Sequence, residues 1–229
     1  MKAADVMVSN VITVGPNARV EDVAKILLDN RISAVPVVSE MDELVGIVSE
    51  GDLIHRAEAG TERRRSWWLE YFCSKQTLAA EYVKSHSHKA VDVMTRRVIT
   101  ARPDTPLGEI ANLLEKNHIK RVPITQGGRL VGIVSRANLL QALASQATKE
   151  VPAASPRDSE IRKKVIARLE AEPWRPSMLN VTVRDGTVDL WGMVTSEQEK
   201  QAARVAAEVA GVKAINNNLM IPPPGSSMV

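Results

Sequence analysis

The sequence predicts an α+β protein: two β-α-β-β-α repeats packed as a pseudo-two-fold module, then a smaller α-β-β-α-β unit. Three observations lead there. A series of apolar motifs occurs twice, in one order and at nearly constant spacing. Helical and strand periodicities alternate identically within each copy. A polar stretch with two prolines then separates the copies from a third segment with its own helix and hairpin signals.

Asp5-Val6-Met7 returns as Asp92-Val93-Met94, and Val11-Ile12-Thr13-Val14 as Val98-Ile99-Thr100-Ala101. Pro16 returns as Pro103, and Val35-Pro36-Val37 as Val122-Pro123-Ile124, each 87 positions on. Leu44-Val45-Gly46-Ile47-Val48-Ser49 returns as Leu130-Val131-Gly132-Ile133-Val134-Ser135 at a spacing of 86. One residue is lost in the intervening turn, where length changes are best tolerated.

Ile12–Val14 and Ile99–Ala101 read as short strands that meet a proline. Val20, Val23, Ile26 and Leu27 fall at helical spacing, as do Leu107, Ile110, Leu113 and Leu114. Thr105 is placed to cap the second of these helices, with Pro106 in its first position. Each copy then has a hairpin: Ala34–Val38 with Leu44–Val48, and Arg121–Thr125 with Leu130–Val134, the latter turning at Gly127-Gly128. A last helix begins at Ser49 and at Ser135. One copy of about 55 residues is marginal alone, so the two are expected to pack face to face.

This ordered series resembles the CBS domain, a module that occurs in tandem, over residues 3–58 and 90–144. The expected domains are 1–58 and 90–144, with an insert at 59–89. The resemblance implies an adenine nucleotide or related adenosyl ligand in a cleft between the repeats: AMP, ADP, ATP, S-adenosylmethionine or NAD. It assigns the ribose to Ser49 and Asp52. A carboxylate accepts two hydrogen bonds from a vicinal diol, and a helix N-terminus adds free N–H groups. Ser49-x-x-Asp52 is equally a capping box that starts a helix. The second copy departs from the pattern, with Ser135 followed by Asn138 in place of the aspartate, so its site is expected to be weaker, empty or altered. The adenine slot falls to Thr13, Val35, Thr100 and Val122, which as strand residues also read as core. Arg31, His118, Lys120, Arg121 and Arg136 stand where the family reaches phosphate, or on the surface for solubility.

The 59–89 insert carries Arg63-Arg64-Arg65 and five of the seven aromatics of the chain: Trp67, Trp68, Tyr71, Phe72 and Tyr82. Packing against the repeats or across a dimer interface is the leading expectation. Stacking on nucleic acid or lying on a membrane are the alternatives. His86 and His88 have no cysteine or carboxylate beside them in sequence and read as solvated histidines, so no metal site is expected.

Residues 145–156 read as a linker. Ser155 caps and Pro156 opens a helix bearing Ile161, Val165, Ile166 and Leu169. A strand at Leu179–Val183 turns at Asp185-Gly186 and returns over Val188–Met193. Ser196-x-x-Glu199 is a capping box for a helix that Gly211 ends, and Val212–Ile221 is a final strand. Val183-Arg184-Asp185-Gly186-Thr187-Val188-x-Leu190-x-Gly192, Ala207-x-x-x-x-Gly211-Val212 and Ile215-Asn216-Asn217 resemble the BON domain, over about 157–221. The family is associated with phospholipid membranes; no site residues are assigned here. Residues 222–229 are expected to be a disordered tail.

An apolar fraction of 44% suits a globular core, and no apolar run is long enough to cross a bilayer. The N-terminus shows no hydrophobic signal segment, and the single Cys73 forms no internal disulfide, so a reducing cytoplasm is expected. The net charge of +3 conceals an acidic first copy, with 5 Lys/Arg against 10 Asp/Glu over residues 1–58, and a basic second copy, with 8 against 4 over 90–144. Hydrolase, metalloprotease and P-loop signatures are absent from the sequence. The expectation is a non-catalytic regulatory sensor in signal transduction. It would be a homodimer without cofactor that passes its ligand state to an unidentified protein partner. The alternative is a scaffold in which the C-terminal domain binds a membrane or partner and the repeats only dimerise. Nucleic acid is not an expected partner.

Overall fold

The apolar periodicities of the repeats resolve, in a computed structural model, into helices and hairpins at nearly the expected positions. Residues 1–54, 86–145 and 156–222 are described. In chain order the helices are α1 (Ala3–Val6), α2 (Val20–Asp29), α3 (Glu50–Leu53), α4 (Ala90–Val93), α5 (Leu107–Lys116), α6 (Arg136–Ala144), α7 (Pro156–Glu170) and α8 (Glu197–Ala206). The strands are β1 (Ala34–Val38), β2 (Leu44–Ser49), β3 (Arg121–Gln126), β4 (Arg129–Ser135), β5 (Ser177–Arg184), β6 (Thr187–Met193) and β7 (Ala214–Met220).

The chain folds as two units. One comprises Ile12–Ile99 and Thr125–Leu130; the other comprises Met1–Val11, Thr100–Ile124 and Val131–Val229. The units therefore cut across the linear repeats, and backbone hydrogen bonds show why. In the first-repeat unit, Val20 N donates to His88 O (2.9 Å), Ala90 N to Ala18 O (2.9 Å) and Val91 N to Pro16 O (2.9 Å). In the other unit, Leu107 N donates to Met1 O (3.3 Å), Ala3 N to Thr105 O (2.8 Å) and Ala4 N to Pro103 O (2.9 Å). The segment that opens each repeat is thus built into the other repeat's unit.

Side chains follow the same exchange. Met94 lies against Gly46, and a Cβ added there would stand 2.8 Å from Met94 Cγ. Met7 lies against Gly132, where a Cβ would stand 2.5 Å from its Sδ and 3.1 Å from Val8 O. The two glycines are close-approach sites for the two methionines. Ala90, Val93 and Met94 join Val14, Val20, Val23, Leu27, Val35, Val37 and Val48 in one core. Ala3 and Val6 join Ala101, Ile110, Leu114, Val122, Ile124, Val134 and Ala142 in the other.

Strands β1 and β2 pair antiparallel, Ala34 opposite Ser49, and β3 pairs with β4. The expected strands at Ile12–Val14 and Ile99–Ala101 are reduced to single parallel bridges, Val14 to Val37 and Ala101 to Ile124. Pro16 and Pro103, two residues on, lack the N–H that a longer ladder needs. The predicted cap at Thr105 also changes. Its Oγ1 accepts from Arg102 N (2.9 Å), and Pro106 is the residue before the first helical turn of α5 rather than within it.

The C-terminal part of the second unit has the expected α-β-β-α-β order, with strands β5-β6-β7. β5 and β6 are antiparallel; β6 and β7 are parallel, as the α8 crossover requires. Asp185 and Gly186 turn with φ of 47° and 77°, the left-handed pair of a type I′ hairpin. Asp158 Oδ1 accepts from Gly186 N (2.9 Å) and ties α7 to that turn. Val181, Val183, Val188, Leu190 and Leu219 pack against Ile161, Val165, Leu169, Ala203 and Ala206.

Two details differ from expectation. Ser196 Oγ accepts from Glu199 N (3.2 Å), but the Glu199 carboxylate reaches one residue further back, accepting from Thr195 N (2.7 Å) and Thr195 Oγ1 (2.6 Å). Helix α8 ends at Ala206, and Gly211, at φ 99°, serves the turn into β7 instead. The Arg63–Arg65 run, the insert aromatics, most of the linker with Ser155, and the tail beyond Pro222 lie outside the described residues.

Candidate functional site

Strand β2 delivers Ser49 to the head of α3, where Glu50 N is satisfied by Ser33 O (3.1 Å). Asp52, on the first turn, bends back: its Oδ2 accepts from Ser49 N (3.0 Å) and Ser49 Oγ (2.8 Å). The hydroxyl and carboxylate that the sequence singled out are therefore brought together, half-buried, by a capping box. In the second repeat β4 delivers Ser135 in the same way, with Arg136 N donating to Lys120 O (3.2 Å). Asn138 Oδ1 accepts from Ser135 N (2.8 Å) and Ser135 Oγ (2.8 Å). The amide thus reproduces the cap that the carboxylate makes in the first repeat.

The remaining candidates divide. Val35 and Val122 have 0% exposure, so both side chains are core. Thr13 is half-buried and Thr100 exposed. Arg31 and His118 take one position in the two repeats, with φ of 52° in each. Both follow a helix that ends in a Schellman motif: Arg31 N donates to Leu28 O and Ile32 N to Leu27 O, matched by His118 N to Glu115 O and Ile119 N to Leu114 O. Lys120 and Arg136 are exposed, and Arg121 half-buried, around the head of α6. This places basic side chains within reach of the same helix N-terminus as Ser135, a suitable place for an anion. His88 is exposed, as expected of a solvated histidine, with its Nδ1 3.6 Å from Glu21 Oε1 of α2.

Sequence reasoning missed a set of contacts between the second repeat and the C-terminal domain. Asn138 Nδ2 donates to Gln141 Oε1 (3.2 Å), and so does Asn180 Nδ2 from β5 (2.6 Å). Ser145 Oγ and Thr182 Oγ1 are 3.2 Å apart. Arg162 on α7, 7% exposed, donates through Nε to Val181 O (2.6 Å) and through Nη2 to Met7 O (2.7 Å). Burial draws its pKa down to about 10, against an opposing pull from Asp5, so it stays a cation at neutral pH. One signal was available. Asn180, Thr182 and Arg184 alternate with Val181 and Val183, so β5 presents a polar face opposite its core face.

The CBS domain model matches residues 3–59 and 90–145, and the BON domain model residues 157–223. The uncharacterized protein MJ1426 of Methanocaldococcus jannaschii is 35% identical over 133 residues, 53% of this chain and 79% of that one. The chloroplastic CBS domain-containing protein CBSX1 of Arabidopsis thaliana is 29% identical over 139 residues, 56% of this chain and 57% of its own length. Among solved structures, CBSX2 in complex with AMP matches with a TM-score of 0.55 and 27% identity. That match spans 65% of this chain and 99% of the solved chain. Among the described residues no helix is long and apolar enough to cross a membrane. The twofold motif series, the capped helix heads and these matches together make the chain a member of the CBS-domain family, a tandem CBS pair followed by a BON domain.

Proposed function

We propose that the chain is a non-catalytic regulatory protein that binds an adenosyl ligand, AMP in the first instance, through Ser49 and Asp52. The observation that carries this reading is the Ser49–Asp52 pair at the head of α3, brought together by the cap and half-buried rather than closed into the core. A carboxylate so placed can hold a ribose diol with charge-assisted hydrogen bonds, which contribute about 1.5–3 kcal/mol each. The similar CBSX2 was solved with AMP, which supports the adenosyl class. Lys120, Arg121 and Arg136 supply positive charge at the equivalent helix head of the second repeat, with Arg31 and His118 as further phosphate-side candidates. A homodimer in the cytoplasm is the proposed working form.

The test is calorimetric titration of the full chain with AMP, ADP, ATP and S-adenosylmethionine, on the wild type and two variants. Asp52→Asn keeps the cap, because Asn138 shows that an amide makes it, and removes the charge. Affinity for the preferred ligand should fall tenfold or more in Asp52→Asn. It should fall further in Asp52→Ala. A ligand at 100 times its dissociation constant should also add about 2.7 kcal/mol of stability to the wild type. Binding by none of the four ligands, or undiminished binding in Asp52→Asn, overturns the reading.

A further inference from the structure

The asparagine that replaces the second ribose aspartate does more than cap α6. Its oxygen makes the cap, and its amide nitrogen donates to Gln141 Oε1, the same oxygen that Asn180 of the BON domain engages. Asn138 is 5% exposed and Asn180 is 2% exposed. An aspartate at position 138 would make the same cap but would have no donor for Gln141. The substitution thus converts a ligand-type carboxylate into a link in a chain that ends on another domain.

That docked arrangement is also incompletely satisfied. Among the described residues, Asn180 Oδ1, Arg184 Nη1 and Trp191 Nε1 are buried without a hydrogen-bond partner. All three side chains belong to the β5–β6 hairpin, with Asn180 directly opposite Trp191. Arg184 reaches the N-terminal segment through its other nitrogen, Nη2 to Met1 Sδ (3.1 Å). Undocking would expose these groups to water and to the hydrogen bonds they lack, which lowers the barrier to release. An interface with one charged anchor and buried unsatisfied polar groups suits two discrete states better than one permanent one.

We propose that the BON domain is a lock on the second CBS site: docking through Gln141 and Asn180 holds Asn138 away from ligand, and ligand at Ser135 and Asn138 releases the domain. The inference rests on the adenosyl-binding reading above and adds its regulation. Each chain then binds one adenosyl ligand tightly while locked, at the Asp52 side. The second becomes available on release. Because coupling between two binding events is reciprocal, the factor by which docking weakens ligand binding at the second site equals the factor by which that ligand weakens docking.

The test uses the full chain and AMP in an Asp52→Asn background, which weakens the first site and leaves α3 capped. Gln141→Ala and Asn180→Ala cut the link from opposite sides, so a folding failure in one leaves the other. Either should raise second-site AMP affinity about tenfold, the usual scale of losing one competing hydrogen bond. Hydrogen exchange should show faster exchange in Ala3–Val6 and Ser177–Arg184 in these variants. AMP should produce the same acceleration in the protein with residues 141 and 180 unchanged. AMP that binds the wild type with the expected Asp52 dependence, but with no change on cutting the link, overturns the lock and leaves the ligand reading standing. AMP that binds neither the wild type nor any variant overturns both.

Discussion

Replacing Arg162 by methionine should undo the docking of the BON domain without disturbing either core. The guanidinium donates to Val181 O at 2.6 Å within the BON domain and to Met7 O at 2.7 Å on the N-terminal segment, so one bond braces the domain and the other crosses the interface. Each charged hydrogen bond contributes about 1.5–3 kcal/mol, so the gross loss is about 3–6 kcal/mol. Removing a buried charge returns part of that as desolvation no longer incurred. Asp5, 8% exposed, loses the cation that faces it, which works in the opposite direction. A net loss of about 3 kcal/mol results. Urea denaturation followed by far-ultraviolet circular dichroism measures it, and hydrogen exchange locates it. Ala3–Val6 and β5 should exchange faster, while β1 and β2 should not change. Arg162→Lys, with one compact donor group, should lose roughly half as much. A methionine variant within about 0.5 kcal/mol of the wild type, or unchanged exchange in α1, would refute the anchoring role, since ordinary surface changes fall in that range.

The glycine pair offers a graded test: Gly46→Ala and Gly132→Ala should each destabilise by about 1–3 kcal/mol on denaturation, Gly132 more, because Val8 O is backbone and cannot swing aside as Met94 can. Shortening Met7 to alanine should recover part of the Gly132→Ala loss. His118→Gly should raise the melting temperature modestly, by about 0.5 kcal/mol of stability. A left-handed backbone is unfavourable to an L side chain by about 1–2 kcal/mol, and the chain entropy of glycine cancels part of the gain. Hydrogen bonds from the Thr195 hydroxyl and then the Thr195 N–H hold the Glu199 carboxyl below its ordinary 4.5, so its contribution is complete above pH 4.5 and is lost as pH falls through the lower folded value. The stability advantage of the wild type over Glu199→Gln should therefore be present at pH 7 and shrink below pH 4.5; an advantage that grows on acidification contradicts the assignment.

The repeats were legible because their motifs are contact pairs. Asp-Val-Met recurs with Leu-Val-Gly since the methionine of one fills the space left by the glycine of the other, and neither tolerates loss alone. What the spacing did not reveal is which copy each methionine fills. Met7 packs on Gly132 and Met94 on Gly46, an exchange decided by long-range backbone hydrogen bonds such as Ala3 N to Thr105 O and Ala90 N to Ala18 O, which side-chain identity does not specify. Ser49 and Asp52 were legible from a three-residue spacing that a helix start enforces. Val35 and Val122 were read as slot residues because a strand in a buried sheet and a strand lining a slot have one composition. The docking residues escaped notice for a similar reason. A polar face on β5 reads as solvent-facing until a second domain covers it, and nothing local distinguishes the two.

Asn138 joins the two halves of the argument. At 5% exposure a carboxylate would demand a compensating cation, whereas Asn138 bonds a serine hydroxyl and a glutamine amide. The amide keeps the acceptor that the helix start needs, drops the charge that burial penalises, and gains the donor that reaches Gln141. On the proposed reading, a weaker grip on ribose and a link to the BON domain follow from the same amide. Restoring the carboxylate makes the expected outcome specific: Asn138→Asp should keep α6 capped, speed exchange in β5, and bring AMP affinity at the second site toward that of the first. If it tightened AMP binding while β5 exchange stayed as slow as in the wild type, charge at the ribose position and domain docking would be independent, and the coupling through Gln141 would have no physical basis.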